Sequence, residues 1–150
     1  MAEITKTEGH NYTAVETGRL ENWDQHVIEM SGGRKARGKL FLKEVLALNG
    51  MEVSLNKLPA GAAVPFYHQH RENEELYIFI KGTGQFQVDG QVLEVQEGTV
   101  IRVVPKGIRT WRNNSTEDLY YIVIQAAENS LNAWTRTDGV ISDQPVVWPE

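Results

Sequence analysis

The chain has 150 residues, 41% of them hydrophobic, with 15 basic and 20 acidic side chains for a net charge of −5. This fits one domain with material for one core, and no apolar run approaches the roughly 20 residues that cross a bilayer as a helix. The absence of cysteine excludes disulfides, thiolate nucleophiles and Cys-based metal sites, and the acidic balance argues against nucleic acid as a partner.

The start, Met1-Ala2-Glu3-Ile4-Thr5-Lys6, lacks the basic and apolar stretches of a secretory signal, which predicts a cytoplasmic protein. Residues 1–49 are polar and mixed and read as an N-terminal extension. Within them Val27-Ile28-Glu29 suits a short strand. The basic run Arg34-Lys35-Ala36-Arg37-Gly38-Lys39 reads as an exposed loop rather than a nucleic-acid surface. The near-helical spacing of Leu40, Phe41, Val45 and Leu48 predicts a helical turn, ended by Asn49-Gly50. His10 and His26 are expected to face solvent.

From Met51 the period changes to two. Met51, Val53 and Leu55 alternate with Glu52, Ser54 and Asn56, which predicts a strand with one buried face. Pro59-Ala60-Gly61 breaks it, and residues 63–70 are extended. Leu76-Tyr77-Ile78-Phe79-Ile80 reads as a buried strand, and Gln85-Phe86-Gln87-Val88 as another. Asp89-Gly90 is a tight hairpin turn into residues 91–95. Residues 99–104 and 119–125 complete a set of roughly seven or eight short strands at about ten-residue spacing, the pattern of an all-β sandwich or barrel. Residues 128–150 form a C-terminal arm whose Trp134 and Trp148 are expected to pack on the barrel or on a second subunit.

The chemistry concentrates in His68-Gln69-His70-Arg71-Glu72-Asn73-Glu74-Glu75. Side chains two apart on a strand share a face, so His68 and His70 point together. Residues 71–74 suit a turn, and Glu75 opens the next strand facing the imidazoles. Two neutral nitrogens and a carboxylate oxygen suit a divalent first-row metal, with Fe, Mn, Ni and Zn all compatible, and leave coordination positions open. Glu74 is the alternative carboxylate.

The segment from Gly61 through His68, His70 and Glu75 to Gly82 resembles the first conserved motif of the cupin superfamily. There a His-x-His pair is followed after four intervening residues by Glu and after six more by Gly, a spacing that favours Glu75 over Glu74. Residues 98–114 resemble the second motif, with Pro105, Gly107 and Asn114 in place, and Gly82-Thr83-Gly84 and Val88-Asp89-Gly90 are also cupin-like. The resemblance covers residues 50–127. It implies one cupin domain folded as a double-stranded β-helix or jelly-roll barrel, and a homodimer. The first motif departs by one extra residue between Gly61 and His68. In the second, the position that normally supplies a further metal-binding His is Thr110, whose hydroxyl would be a poor ligand and instead suits a hydrogen bond to a water on the metal.

Tyr77 and Phe79 share parity with Glu75 and are the candidate cavity lining, Phe79 reading more readily as core. Thr110 and Gln125 complete the candidate substrate contacts. Arg102, Arg109 and Arg112 are expected in surface salt bridges more than on an anionic substrate. Trp111 covers the barrel mouth or sits in a subunit interface. The expected function is a small metal-dependent enzyme of dioxygenase or isomerase type acting on a small organic molecule. The alternatives are a ligand-binding cupin with a degenerate metal site and a structural cupin with a plugged barrel.

Overall fold

The computed structural model describes residues 3–150, so Met1 and Ala2, where the expected N-terminal reading begins, lie outside the described residues. In the extension, β1 (Thr5–Glu8) pairs with β2 (Thr13–Glu16), and β3 (Val27–Glu29) pairs with β4 (Lys35–Arg37). Then follow β5 (Lys39–Phe41), the single turn α1 (Lys43–Leu46), β6 (Glu52–Leu58), β7 (Asn73–Lys81), β8 (Thr83–Val88), β9 (Gln91–Gln96), β10 (Val100–Val103), β11 (Arg109–Arg112) and β12 (Leu119–Ala127), with the short α2 (Thr135–Asp138) beyond. A five-stranded sheet in the order β10-β7-β12-β6-β5 faces a three-stranded sheet in the order β11-β8-β9. The architecture is the all-β jelly-roll expected.

Two apolar clusters account for the order of the strands. Tyr77, Phe79, Phe86, Val103, Trp111, Leu119, Tyr121 and Val123 fill the space between the sheets. Burying each such side chain contributes about 1.5–3 kcal/mol. On the outer face of the large sheet, Leu55 and Tyr120 pack under Trp23 and Leu42 of the extension. The extension thus gives the sheet a second buried face. This corrects the reading of β6: Val53 and Leu55 face the outer cluster, whereas Ser54 and Asn56 face the interior, where a cavity accepts polar groups. Met51 is exposed.

The helical expectation for residues 39–48 holds only for the turn at α1. Lys39–Phe41 pairs antiparallel with β6, and Leu40, Leu42, Leu46 and Leu48 reach the Trp23 cluster at spacings of two and four. The basic run is likewise not a loop but β4 and the start of β5. His26 is buried, its Nε2 2.8 Å from the Thr17 carbonyl, because the extension folds over it. His10 is exposed as expected.

The hairpin between β8 and β9 uses Asp89 (φ 47°) and Gly90 (φ 82°), the doubly positive turn that matches strand twist. Gly82 (φ 91°) lets β7 pass into β8 beside β12, where a Cβ would lie 2.4 Å from the Asp118 carbonyl oxygen. The arm does not pack on the barrel: Trp134, Val140, Ile141, Val146, Val147 and Trp148 are all exposed. No helix of the described residues is long and apolar enough to cross a membrane.

Candidate metal centre

The segment 63–70 runs beside β11 without forming a regular strand. His68 and Arg109 exchange backbone N–H···O bonds of 3.0 Å each way, and the His70 N–H donates to the Pro105 carbonyl at 2.9 Å. This anchoring leaves both imidazoles on the inner side. Strand β7 starts at Asn73, two residues earlier than expected, and its inward parity carries Glu75, Tyr77 and Phe79. His68 Nε2 and His70 Nε2 lie 3.3 and 3.2 Å from Glu75 Oε1, and one ligand atom from each residue falls within 4.8 Å of the others. Donor atoms about 2.1 Å from one ion stand about 3.0–3.4 Å apart in octahedral or tetrahedral arrangements, so the Glu75–His spacings fit a first-row divalent ion. The Nδ1 of His68 is buried without a partner, so that ring is oriented through Nε2 and packing alone, its edge against Trp111.

The electrostatics favour the ligand forms of Glu75 and His70. Burial would raise the Glu75 carboxyl, but hydrogen bonds from His68 and Tyr77 and the electrostatic pull of His70 and of the Arg109 guanidinium outweigh it and hold it at about 2. Burial lowers His70, with Arg109 and His68 adding to the effect against the pull of Glu75, which favours the neutral imidazole. Tyr77 donates to Glu75 Oε1 at 2.6 Å, and burial together with the carboxylate pushes its phenol well above the usual range.

Arg109 is the largest fully buried side chain, contrary to the expected surface role. Its Nη2 donates to Glu75 Oε1 at 2.9 Å, its Nε reaches the Tyr77 hydroxyl at 3.4 Å, and its Nη1 donates to the Gly107 carbonyl at 2.6 Å. Thr110 points the other way, its Oγ1 donating to the Val64 carbonyl at 3.2 Å over a separate groove. The second motif therefore operates one residue earlier than the count from Gly107 gives. Arg109 and Asn113 keep the same four-residue spacing as Thr110 and Asn114, and Asn113 is the buried one. Its Nδ2 donates to the carbonyls of Leu58 and Glu117, and its Oδ1 accepts from the Ser115 N–H. A sequence signal for this exists: Trp111 has to face inward, so parity sends Arg109 in and Thr110 out.

The three candidate ligands open on a cavity of about 690 Å³, also lined by Lys39, Ser54, Asn56, Tyr77, Trp111 and Gln125. The barrel is thus not plugged. Gln125 reaches this cavity, although its Oε1 accepts from Asn73 Nδ2 at 2.9 Å. Phe79 does not line it and packs with Phe86 and Tyr121, so it is core. Trp111 lies in the core between the sheets rather than over the mouth. It stacks on Phe86 and donates from Nε1 to the Tyr121 hydroxyl at 2.7 Å. Arg102 pairs with Glu74 and Glu128 at the surface, as expected, and Arg112 bonds Gln85 there.

A jelly-roll that gathers two imidazoles and a carboxylate on the wall of a cavity defines a small barrel protein with a candidate metal centre. The chain belongs to the cupin family: residues 54–125 match the family described as Cupin domain. A crystal structure of a cupin protein from Bacteroides fragilis is 40% identical, covering 77% of this chain and 97% of that one, with a TM-score of 0.68. A predicted oxalate decarboxylase from Thermotoga maritima is 22% identical (73% of this chain, 96% of that one, TM-score 0.58). KdgF from Halomonas sp. is 13% identical (73% and 92%, TM-score 0.54). At these identities the last two show the shared fold alone. Among curated proteins none matches the chain.

Proposed function

We propose that the chain is a metal-dependent enzyme of the dioxygenase or isomerase kind, acting in the cytoplasm on a small organic molecule held in the barrel cavity. The observation that supports this reading most is the convergence of His68, His70 and Glu75 at ligand spacing on the cavity wall. His68 and His70 would hold a divalent ion through Nε2, and Glu75 through its carboxylate. Bound there, such an ion would polarise a substrate oxygen or activate dioxygen. Around it Tyr77 and Arg109 fix the Glu75 carboxylate in one orientation, and Trp111, Val123 and Tyr121 exclude water from the inner wall. Gln125 offers an amide to the substrate.

Metal analysis of untagged protein, beside a His68→Ala/His70→Ala variant, tests the reading. Near-stoichiometric metal in the wild type and none in the folded variant are expected. Background metal in both after loading would overturn it. Oxygen consumption by iron-loaded protein then separates the oxygenase branch from isomerisation.

One observation favours a second reading, a metal-free binding protein. Glu75 Oε1 already accepts from Tyr77 and Arg109, so a protein cation stands close to where an ion would sit. In that case the cavity binds ligands while the metal analysis returns background. The homodimer belongs to the same proposal, since a second subunit would cover the exposed apolar arm. Its mass in solution by light scattering tests that.

A further inference from the structure

No motif draws attention to Lys39, yet it lines the same cavity as the candidate metal ligands. It enters from β5, in the extension. Its Nζ donates to Asn56 Oδ1 at 2.8 Å and reaches Ser54 Oγ at 3.5 Å. Among the described residues no carboxylate lies close enough to pair with it. Burial lowers its ammonium to about 8 even though Glu75 and Glu52 oppose the shift from a distance. A half-buried cation without a contacting counter-ion is costly, and an anion from outside the chain relieves that cost.

The donors specify what kind of anion. An ammonium has three N–H groups, and one is used well, on Asn56. Asn56 Nδ2 is committed to the Ser54 carbonyl at 3.1 Å and Ser54 Oγ at 3.0 Å. That leaves N–H groups of Lys39 and the hydroxyl hydrogen of Ser54, a set that fits the two oxygens of a carboxylate. It is thin for a phosphate dianion, which has three acceptor oxygens. The rim adds long-range attraction. Arg34, Lys35 and Arg37 line the outer part of the cavity, whereas its one acid, Glu75, is already paired with Arg109. A chain of net charge −5 thus turns a cationic opening to its cavity, which concentrates small anions there.

We propose that Lys39 and Ser54 form a carboxylate-binding subsite, with Asn56 holding the Lys39 ammonium in place, and that the cavity takes a small organic acid whose carboxylate rests on Lys39 while its other end faces His68, His70 and Glu75. The subsite rests on the reading of this cavity as a small-molecule site, but not on the metal. It gives the basic run of the extension a role in attracting the substrate.

The test uses the whole chain and matched probes: acetate with acetamide, pyruvate with pyruvamide, and benzoate with benzamide, by calorimetric titration and thermal shift. At least one carboxylate is expected to bind the wild type about ten-fold or more tightly than its amide, the worth of a charge-assisted hydrogen bond. Lys39→Gln should erase that preference, and Lys39→Arg should retain part of it. The absence of any carboxylate preference in the wild type overturns the subsite, as does a preference that survives Lys39→Gln undiminished. Should Lys39→Gln not fold, a wild-type crystal soaked with 4-bromobenzoate decides the matter. The bromine's anomalous signal in the cavity with the carboxylate on Lys39 supports the subsite, and a carboxylate placed elsewhere overturns it. Metal content measured on the same samples keeps the two readings apart. Metal bound with no carboxylate preference sinks the subsite alone, and carboxylate preference without metal sinks the triad alone.

Discussion

Replacing Arg109 by Met removes the guanidinium and keeps most of the side-chain length. Arg109 is fully buried and Glu75 nearly so, with 2.9 Å between Nη2 and Oε1. Removing one partner of such a pair strands the other charge, which costs about 3–5 kcal/mol. In a chain of this size each kcal/mol moves the melting temperature about 2–4 °C, so Arg109→Met should melt about 6–20 °C lower in the presence of chelator. The loss has a particular chemical form, an uncompensated carboxylate beside two imidazoles. A divalent cation should therefore restore the variant, by about 3 kcal/mol at one hundred times the variant's dissociation constant, and by more than it stabilises the wild type at the same concentration. Glu75→Gln placed in the same background should recover part of the loss without metal, because no charge is then left behind. The assay is thermal unfolding followed by circular dichroism for the four proteins, with chelator and with manganese, nickel or zinc. A drop under about 2 °C for Arg109→Met, or a double variant that adds the two single losses, would refute the coupling, since independent sites add.

Three further outcomes follow from the same geometry. Asn113→Ala strands the Leu58 and Glu117 carbonyls and should cost about 2–3 kcal/mol in urea unfolding, whereas Asn114→Ala, exposed, should stay within about 0.5 kcal/mol. The reverse order would mean that the second motif runs in the register counted from Gly107. Lys39 titrates at about 8 in the folded chain against an ordinary 10.5, because of burial, with Glu75 and Glu52 opposing. Between those values the unfolded chain holds a proton that the folded chain has released, so stability rises with pH across the window, by up to about 3 kcal/mol. Denaturant unfolding at pH 7 and pH 10 should show that rise in the wild type and not in Lys39→Met, and parallel behaviour of the two would contradict it. His68→Ala/His70→Ala should keep the wild-type near-ultraviolet dichroism and melt within a few degrees of it in chelator, because both rings are part-exposed and outside the apolar clusters.

Much of the barrel was legible because its strands carry their own punctuation. Period-two alternation marked Glu75, Tyr77 and Phe79 as one face, and Asp89-Gly90 marked the hairpin. The His-x-His pair and Glu75 were legible as a site because strand parity and a short turn are local facts. What failed depended on contacts distant in sequence. The outward face of β6 looks like a core face because the extension covers it, and nothing near Leu55 says that Trp23 lies above. His26 looked like a surface residue for the same reason. Counting along the degenerate turn from Gly107 selects Thr110, whereas the inward demand of Trp111 selects Arg109. Lys39 was hidden inside an apparent helical period, although the strand it occupies delivers its amine to Ser54 and Asn56. For Trp134 and Trp148, expected on the barrel or on a second subunit, the first placement fails, since both are exposed on the single chain.

The central claim is that His68, His70 and Glu75 hold one divalent ion at the cavity wall. Anomalous diffraction collected on both sides of the absorption edge of the metal, from crystals of metal-loaded protein, tests it most directly. A single edge-dependent peak about 2.0–2.2 Å from Nε2 of both histidines and from a Glu75 oxygen is the expected result. Fully loaded crystals with no peak there, the Glu75–Arg109 pair intact and the metal elsewhere would contradict it.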